Sequence, residues 1–333
     1  MSANTIIDFN NPSQYYYSLL SNDQRLIYRT ILDGMKSFMD EIAIPPSPGS
    51  AVSVVWDYIL LDNPLIFYVR SYVQIINSQK NVEAVKPSYE LTKQTAKQYH
   101  NDVVKYLLKF NALRSKSESE KVLAIHDHCL TNFKYDYTFG ENVYSILGAI
   151  LKKSAVCEGI AKFVKLAFDY VGMKSMVVIG ELKKPIGASE DGHAWNIVEV
   201  GGKFHHLDVT LDMTMMDKIK RYDYYNLSDK DILKDHIISS RVPVCAAYGG
   251  DYYSQQSLRM DSIEAFKTFL AACFKRGEKT IIVKMGFNHN TQNISEVIME
   301  AAKQQYARIH NNSFEIEMRS NIDQMVFEIH FKP

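Results

Sequence analysis

The chain has no apolar run near the ~20 residues a membrane helix needs, no C-x-x-C pair and no excess of either charge. Lys+Arg and Asp+Glu number 38 each, and no dense basic stretch occurs. That balance excludes the electrostatic footprint of a nucleic-acid binder or of a protein drawn to anionic membranes. Cysteine is scarce and scattered, at Cys129, Cys157, Cys245 and Cys273. Neither a disulfide framework nor a zinc ribbon is expected from such spacing. The opening stretch MSANTIIDFNNPSQYYYSLL has neither a basic segment nor a continuous apolar one. No secretory signal is therefore expected, and the expected location is the cytoplasm, where thiols stay reduced. Without a D-x-D-x-D-G loop there is no case for calcium, and no metal or cofactor is expected.

What is present is an ordinary globular composition, 46% apolar and 23% charged over 333 residues, long enough for two or three domains. Residues 1–113 read as a mostly helical accessory region with some strand. In SNDQRLIYRTILDGMKSFMDEI, Ser21 or Asp23 can cap a helix whose apolar face holds Leu26, Ile27, Ile31, Met35, Phe38 and Met39. PPSPGS, residues 45–50, breaks the pattern. LIFYVRSYVQII reads as strand, and residues 91–111 as helix again. Residues 251–333 alternate helix and strand patterns and read as a small separate α+β domain. Residues 114–250, between them, hold the informative segment.

Within that segment, SAVCEGIAKFVKLAF places Cys157 immediately before a helical stripe. Ile160, Phe163, Val164, Ala167 and Val171 recur at helical spacing, and Gly172 is a natural stop. Cys157 thus falls at the first turn, where unpaired N–H groups and the helix dipole favour an anion. A thiol there, beside a protonated histidine, exists more readily as the reactive thiolate. On this feature alone a small apolar filler remains the commoner explanation.

A second stretch, GHAWNIVEVGGKFHHLDVTLD, reads as a β-hairpin turning on Gly201-Gly202. If the loop is those two residues, Val200 faces Lys203, Trp195 faces Asp208 and His193 faces Thr210. His193, Trp195 and Asp208 then share one face. His193 and Asp208 become diagonal neighbours, ~7–8 Å apart at the backbone, within reach of an imidazole–carboxylate hydrogen bond. A base held by an orienting acid, with its second nitrogen free for a thiolate, is the pattern of nucleophilic catalysis. His206 lies on the same face and is the rival base.

Cys157, His193 and Asp208 therefore stand in that order, within Val156-Cys157-Glu158-Gly159, Gly192-His193-Ala194-Trp195 and Asp208-Val209-Thr210. This segment resembles the transglutaminase-like superfamily, a branch of the papain-like cysteine enzymes. EKVLAIHDHCLTNFKYDY and VYSILGAILKKSAVCEG resemble the approach to the cysteine in its bacterial members. The resemblance covers about 110 residues, a third of the chain. It departs from the family pattern at Ile160, where an aromatic is common, and at Leu211, where Trp often follows.

The resemblance implies an α+β core in which a helix bearing the Cys packs on an antiparallel sheet bearing His and Asp. It implies acyl transfer through a thioester: Cys157 attacks an amide of a protein or peptide, His193 carries the proton, and Asp208, in a strand, holds the imidazolium. The Cys157 backbone N–H is the natural first oxyanion donor, and a second could come from the Tyr144 region. Hydrolysis is expected ahead of transamidation; peptide deglycosylation and a silent binding scaffold share the fold. The expected partner is a protein or peptide substrate, with no nucleic acid and no membrane.

Other suggestive residues carry blander readings. HDHC (His126 to Cys129) lacks a partner pair at ligand spacing and reads as structural helix. His236 reads as a surface or inter-segment hydrogen-bonding residue. Trp195 and the RYDYYNLSD cluster read as packing.

Overall fold

The computed structural model describes residues 13–184, 192–287, 293–309 and 314–332. In the N-terminal part, Ser21 caps the helix Asn22–Ser37 and Gln24 completes a capping box. Ile27, Ile31 and Met35 are buried, but Leu26 and Met39 are exposed. The helix ends at Ser37, with Phe38 in a left-handed conformation, so the expected stripe stops short. Pro45 and Pro46 do not end that helix; they lie on an edge strand, Ile42–Ser47, where a missing donor is tolerated. The expected strand is Val69–Ile76. It pairs with Val82–Tyr89, which in turn pairs with the proline strand. Helices Gly49–Asp62 and Lys93–Leu107 complete this part.

The central core is α+β. A four-stranded antiparallel sheet runs in the order Lys203–Leu207, Gly192–Val200, Ser175–Leu182, His236–Ile238. The helix Cys157–Tyr170 packs on it and buries Ile160, Phe163, Val164 and Ala167, as their spacing requires. The hairpin ladder runs from Val200–Lys203 to Asn196–Leu207, in the expected register, around Gly201 (φ 59°) and Gly202 (φ 73°).

The apolar core is continuous from Leu20 through the first three helices to Met213, so the N-terminal part and the sheet-bearing part share one interior. Buried polar groups fasten the start of the chain to it. The Asp62 carboxylate accepts from the Tyr16 and Tyr17 N–H groups, and the Tyr16 hydroxyl donates to the Val177 carbonyl. Lys165, on the back of the cysteine helix, donates to the Ser13 carbonyl and to Asp169 at 2.9 and 2.8 Å.

Residues from Arg259 onward build a further four-stranded sheet and a separate apolar core. Strands Arg259–Met260, Thr280–Met285, Val326–Lys332 and Glu315–Asn321 lie in that order, with helices Ile263–Lys275 and Ile294–Ile309 packed on them. A buried ion-pair cluster joins this unit to the rest. Arg221 donates to both oxygens of Asp223 and, at 2.8 Å, to Glu328 of the C-terminal sheet. Breaking a buried pair leaves an uncompensated charge. Arg221→Ala is therefore expected to destabilise the protein by about 3–5 kcal/mol, read as a lowered midpoint in thermal unfolding. A midpoint within a degree or two of the parent would remove the cluster as the joint.

Candidate active site

Cys157 is the first residue of its helix. The fold holds it there by close approach of a second segment. The Val156 N–H donates to the Val143 carbonyl at 3.1 Å. A Cβ on Gly159 would lie 2.2 Å from that same carbonyl and 2.9 Å from the Ser145 carbonyl. Glycine two residues after the cysteine is thus a steric necessity. Cys157 is half-buried, whereas Cys129, Cys245 and Cys273 are buried. Burial raises the thiol pKa of all three, to about 12 for Cys273.

His193 is buried on the second strand of the hairpin sheet. Its Nε2 lies 2.5 Å from Asp208 Oδ2. Cys157 is among the neighbours that shift the His193 ring, and with Nε2 committed to Asp208 it is Nδ1 that is left for the thiol. Burial disfavours the charged ring, but the Asp208 carboxylate and then Cys157 outweigh it, raising the His193 pKa from 6.5 to about 10. The buried carboxylate thus favours the protonated form of the ring.

Asp208 corrects one expectation. The ladder stops at Leu207, and residues Val209–Met215 are helix, not strand. The Trp195–Asp208 and His193–Thr210 pairs do not form. The Asp208 N–H bonds the Tyr224 carbonyl instead, and its Oδ1 accepts from the Leu211 N–H at 3.0 Å. Aspartate is a preferred helix N-cap, and that local preference overrides the strand pattern here. The side chain still meets His193. Burial opposes its charge, but the His193 and His236 rings hold its pKa far below the usual carboxylate range.

The remaining sequence candidates fall around this trio. Trp195 is buried, with its ring nearly parallel to His193 at 5.8 Å, and donates from Nε1 to His206 Nδ1 at 3.0 Å. His206 Nε2 pairs with Asp229 at 2.8 Å, so the rival base has both nitrogens engaged away from the thiol. His126 pairs with Asp212, His128 with the Tyr106 hydroxyl, and Asp127 with Lys220 and Tyr222; all are cross-braces. Ile160 and Leu211 are core residues, and Tyr222, Tyr224 and Tyr225 are buried.

Two residues of the site had no sequence signal. His236 is fully buried, so of its two readings the inter-segment hydrogen-bonding one holds and the surface one does not: its Nε2 lies 3.1 Å from Asp208 Oδ2. The contact spans 28 positions and crosses from an edge strand, so no local pattern announces it. Tyr135 is drawn into the site by the short parallel pairing of Lys134–Tyr135 with Ser154–Ala155. Burial raises its hydroxyl pKa, and Cys157 and Asp208 are among the neighbours that add to the shift. Tyr144 is 46% exposed. It lines, with Phe139, Glu158, Leu60, Phe67 and Arg70, a cleft of about 750 Å³ between the N-terminal part and the first turn of the cysteine helix.

Two groupings have donor atoms close enough together to share an ion, His193–Asp208–His236 and His206–Asp229–Cys245. In the first, the donors are hydrogen-bonded to one another at 2.5 and 3.1 Å. In the second, both His206 nitrogens are taken, and Asp229 also accepts from the Cys245 N–H. Both arrangements are satisfied polar networks as they stand.

If the sulfur is positioned by the Gly159 contact, Gly159→Ala is expected to cost about 1–3 kcal/mol through overpacking. It should also slow alkylation of Cys157 by iodoacetamide. An unchanged alkylation rate at full folding would show that the 143–145 segment does not set the thiol's position.

No curated protein matches the chain in sequence. Three solved structures are similar to parts of it. One is described as a TGase, at 17% identity and TM-score 0.31 over 47% of this chain and 48% of that one. A proposed cysteine protease from Cytophaga hutchinsonii is 16% identical at TM-score 0.26, over 42% of this chain and 61% of that one. Menin, whose structure reveals the binding site for the Mixed Lineage Leukemia protein, is 13% identical at TM-score 0.29, over 87% and 63%. The chain thus spans about half to two thirds of the length of these structures. The family match, rather than these likenesses, carries the assignment. The transglutaminase-like superfamily profile matches residues 109–209, which run from the helix before the cysteine through Asp208, so this chain contains a transglutaminase-like domain.

Proposed function

We propose that the protein is a cysteine hydrolase acting on an amide of a protein or peptide through a thioester. The observation that carries this reading is the His193 ring, bonded at 2.5 Å to buried Asp208 and near enough to the half-buried Cys157 for that thiol to raise its pKa. Cys157 attacks the amide carbonyl as the thiolate, and the carbonyl electrons collapse onto oxygen. The N–H groups of the helix start, which have no partner within the helix, lie where that oxyanion forms. His193 then gives its proton to the departing amine as the C–N bond breaks, leaving the thioester. A water molecule attacks next; His193 takes its proton and returns the thiol on release of the acid.

The cleft beside Glu158 supports a peptide-sized substrate, since Leu60, Ile66 and Phe67 give it apolar surface, Arg70, Glu141 and Lys162 give it charge, and exposed Phe139 and Tyr144 lie at its rim. Hydrolysis is favoured over amine transfer because Phe139 and Tyr144 at that rim are 41% and 46% exposed. A transamidase must keep water from its acyl-enzyme.

The test is cleavage of a casein-type substrate with and without a labelled primary amine. Cleavage should vanish in Cys157→Ala and fall by about four orders of magnitude in kcat in Asp208→Asn, where the ring loses its charged holder. Amine incorporation outrunning cleavage would replace hydrolysis with transamidation. A Cys157 thiol no more reactive than free cysteine, with no conversion of either kind, would leave a binding scaffold.

A further inference from the structure

His236 Nε2 contacts the same oxygen of Asp208, Oδ2, that holds His193. Its other nitrogen, Nδ1, lies 2.6 Å from Asp235 Oδ1. A neutral imidazole has one donor and one acceptor, so it would face one carboxylate oxygen lone pair to lone pair. Two carboxylate contacts are satisfied together only by a ring protonated at both nitrogens. The buried set is then balanced, with two carboxylates and two imidazoliums. Burial opposes that charge, but the two carboxylates raise the His236 pKa.

Asp235 is held in turn from the C-terminal unit. Its Oδ2 accepts from the Tyr224 hydroxyl at 2.7 Å and from Gln324 Nε2 at 3.1 Å. Asn321 Nδ2 donates to the same Tyr224 hydroxyl at 3.2 Å. Asn321 ends the strand Glu315–Asn321, and Gln324 lies in the turn that leads to Val326–Lys332. A hairpin tip normally projects into water. Here Gln324 is fully buried and Asn321 is 6% exposed, because these two residues turn inward onto the segment 231–235 and Tyr224 while Ile322 between them stays exposed. Gln324 also donates to the Asp231 carbonyl at 3.1 Å, so both of its amide protons are spent on this docking.

We propose that the C-terminal unit is a positioning device for the candidate site: Gln324 fixes Asp235, Asp235 fixes His236, and His236 fixes the carboxylate of Asp208 against His193. The chain of contacts gives a unit with no reacting group of its own a means of acting on the thiol. His236, Asp235 and Gln324 are positioning residues, since none contacts Cys157. The inference rests on the reading of Cys157, His193 and Asp208 as the reacting groups.

The experiment measures alkylation of Cys157 by iodoacetamide in the full chain, with thermal unfolding and near-ultraviolet circular dichroism as controls for folding. His236→Phe should slow alkylation about tenfold or more, because the carboxylate that aims His193 is released. His236→Gln, which keeps one N–H donor toward Asp208, should recover part of that loss. Gln324→Ala, three contacts away from Asp208, should slow it about 2–10-fold, the worth of one hydrogen bond. Folded variants that alkylate at the parent rate overturn the proposal. If a variant does not fold, the parent protein still decides: a long-range proton–nitrogen correlation spectrum at pH 7 should show His236 protonated on both nitrogens, and a singly protonated ring overturns the proposal. A parent thiol no faster than free cysteine would instead defeat the catalytic reading, and the spectrum would still report on His236.

Discussion

A carboxylate with no access to water holds the site together. Asp208 is fully buried, and its two oxygens accept from three donors: His193 and His236 on Oδ2 and the Leu211 N–H on Oδ1. A bare carboxylate in such a place would cost several kcal/mol. The arrangement exists because charge and hydrogen bonds are supplied together, one partner from each of three elements. Each donor also fixes one aspect of the carboxylate. The backbone N–H sets its plane, His236 fixes it from behind, and the shortest contact goes to the ring that faces the thiol. Loosening the rear contacts would therefore be felt at the front.

The scaffold explains why these groups can stand so close. The cysteine helix is pressed onto the sheet by its apolar stripe and tied from behind by Lys165, which reaches Asp169 and the Ser13 carbonyl. The 143–145 segment bears on its first turn through Gly159. The N-terminal part contributes to the same interior and to one wall of the cleft beside Cys157. It is thus built into the surroundings of the thiol, whatever the substrate.

Much of this was legible in the sequence because it is local. A helical stripe, a Gly-Gly turn and period-two alternation put Cys157 at a helix start and His193 on the hairpin, and the family resemblance joined them to Asp208. The hairpin register was readable for the same reason. What escaped depends on contacts between distant positions. The DVT stretch alternates like a strand, but Asp208 caps a helix, since its backbone N–H finds the Tyr224 carbonyl and not a ladder partner. His236 carries no pattern of its own and joins Asp208 only because the fourth strand pairs at the sheet edge. Gln324 sits in a hairpin turn, and only contacts with Asp231 and Asp235, far away in sequence, bury it. A lysine at position 165 inside an apolar stripe is explained by partners 4 and 152 residues away.

The charge on the His193 ring is the quantity on which the proposed chemistry turns. With Asp208 and Cys157 beside it, the ring should hold its second proton from acid pH up to about 10, not lose it near 6.5. The imidazolium is then present across the physiological range and disappears only in strongly alkaline solution. Titrating the His193 ring nitrogens by NMR, with Cys157→Ala as the reference that lacks the sulfur partner, measures this. An imidazolium persisting to about pH 10, and to lower pH in the variant, is the expected result. A ring that titrates near 6.5 in both proteins would contradict it, because it would mean that neither the carboxylate nor the thiol holds that proton.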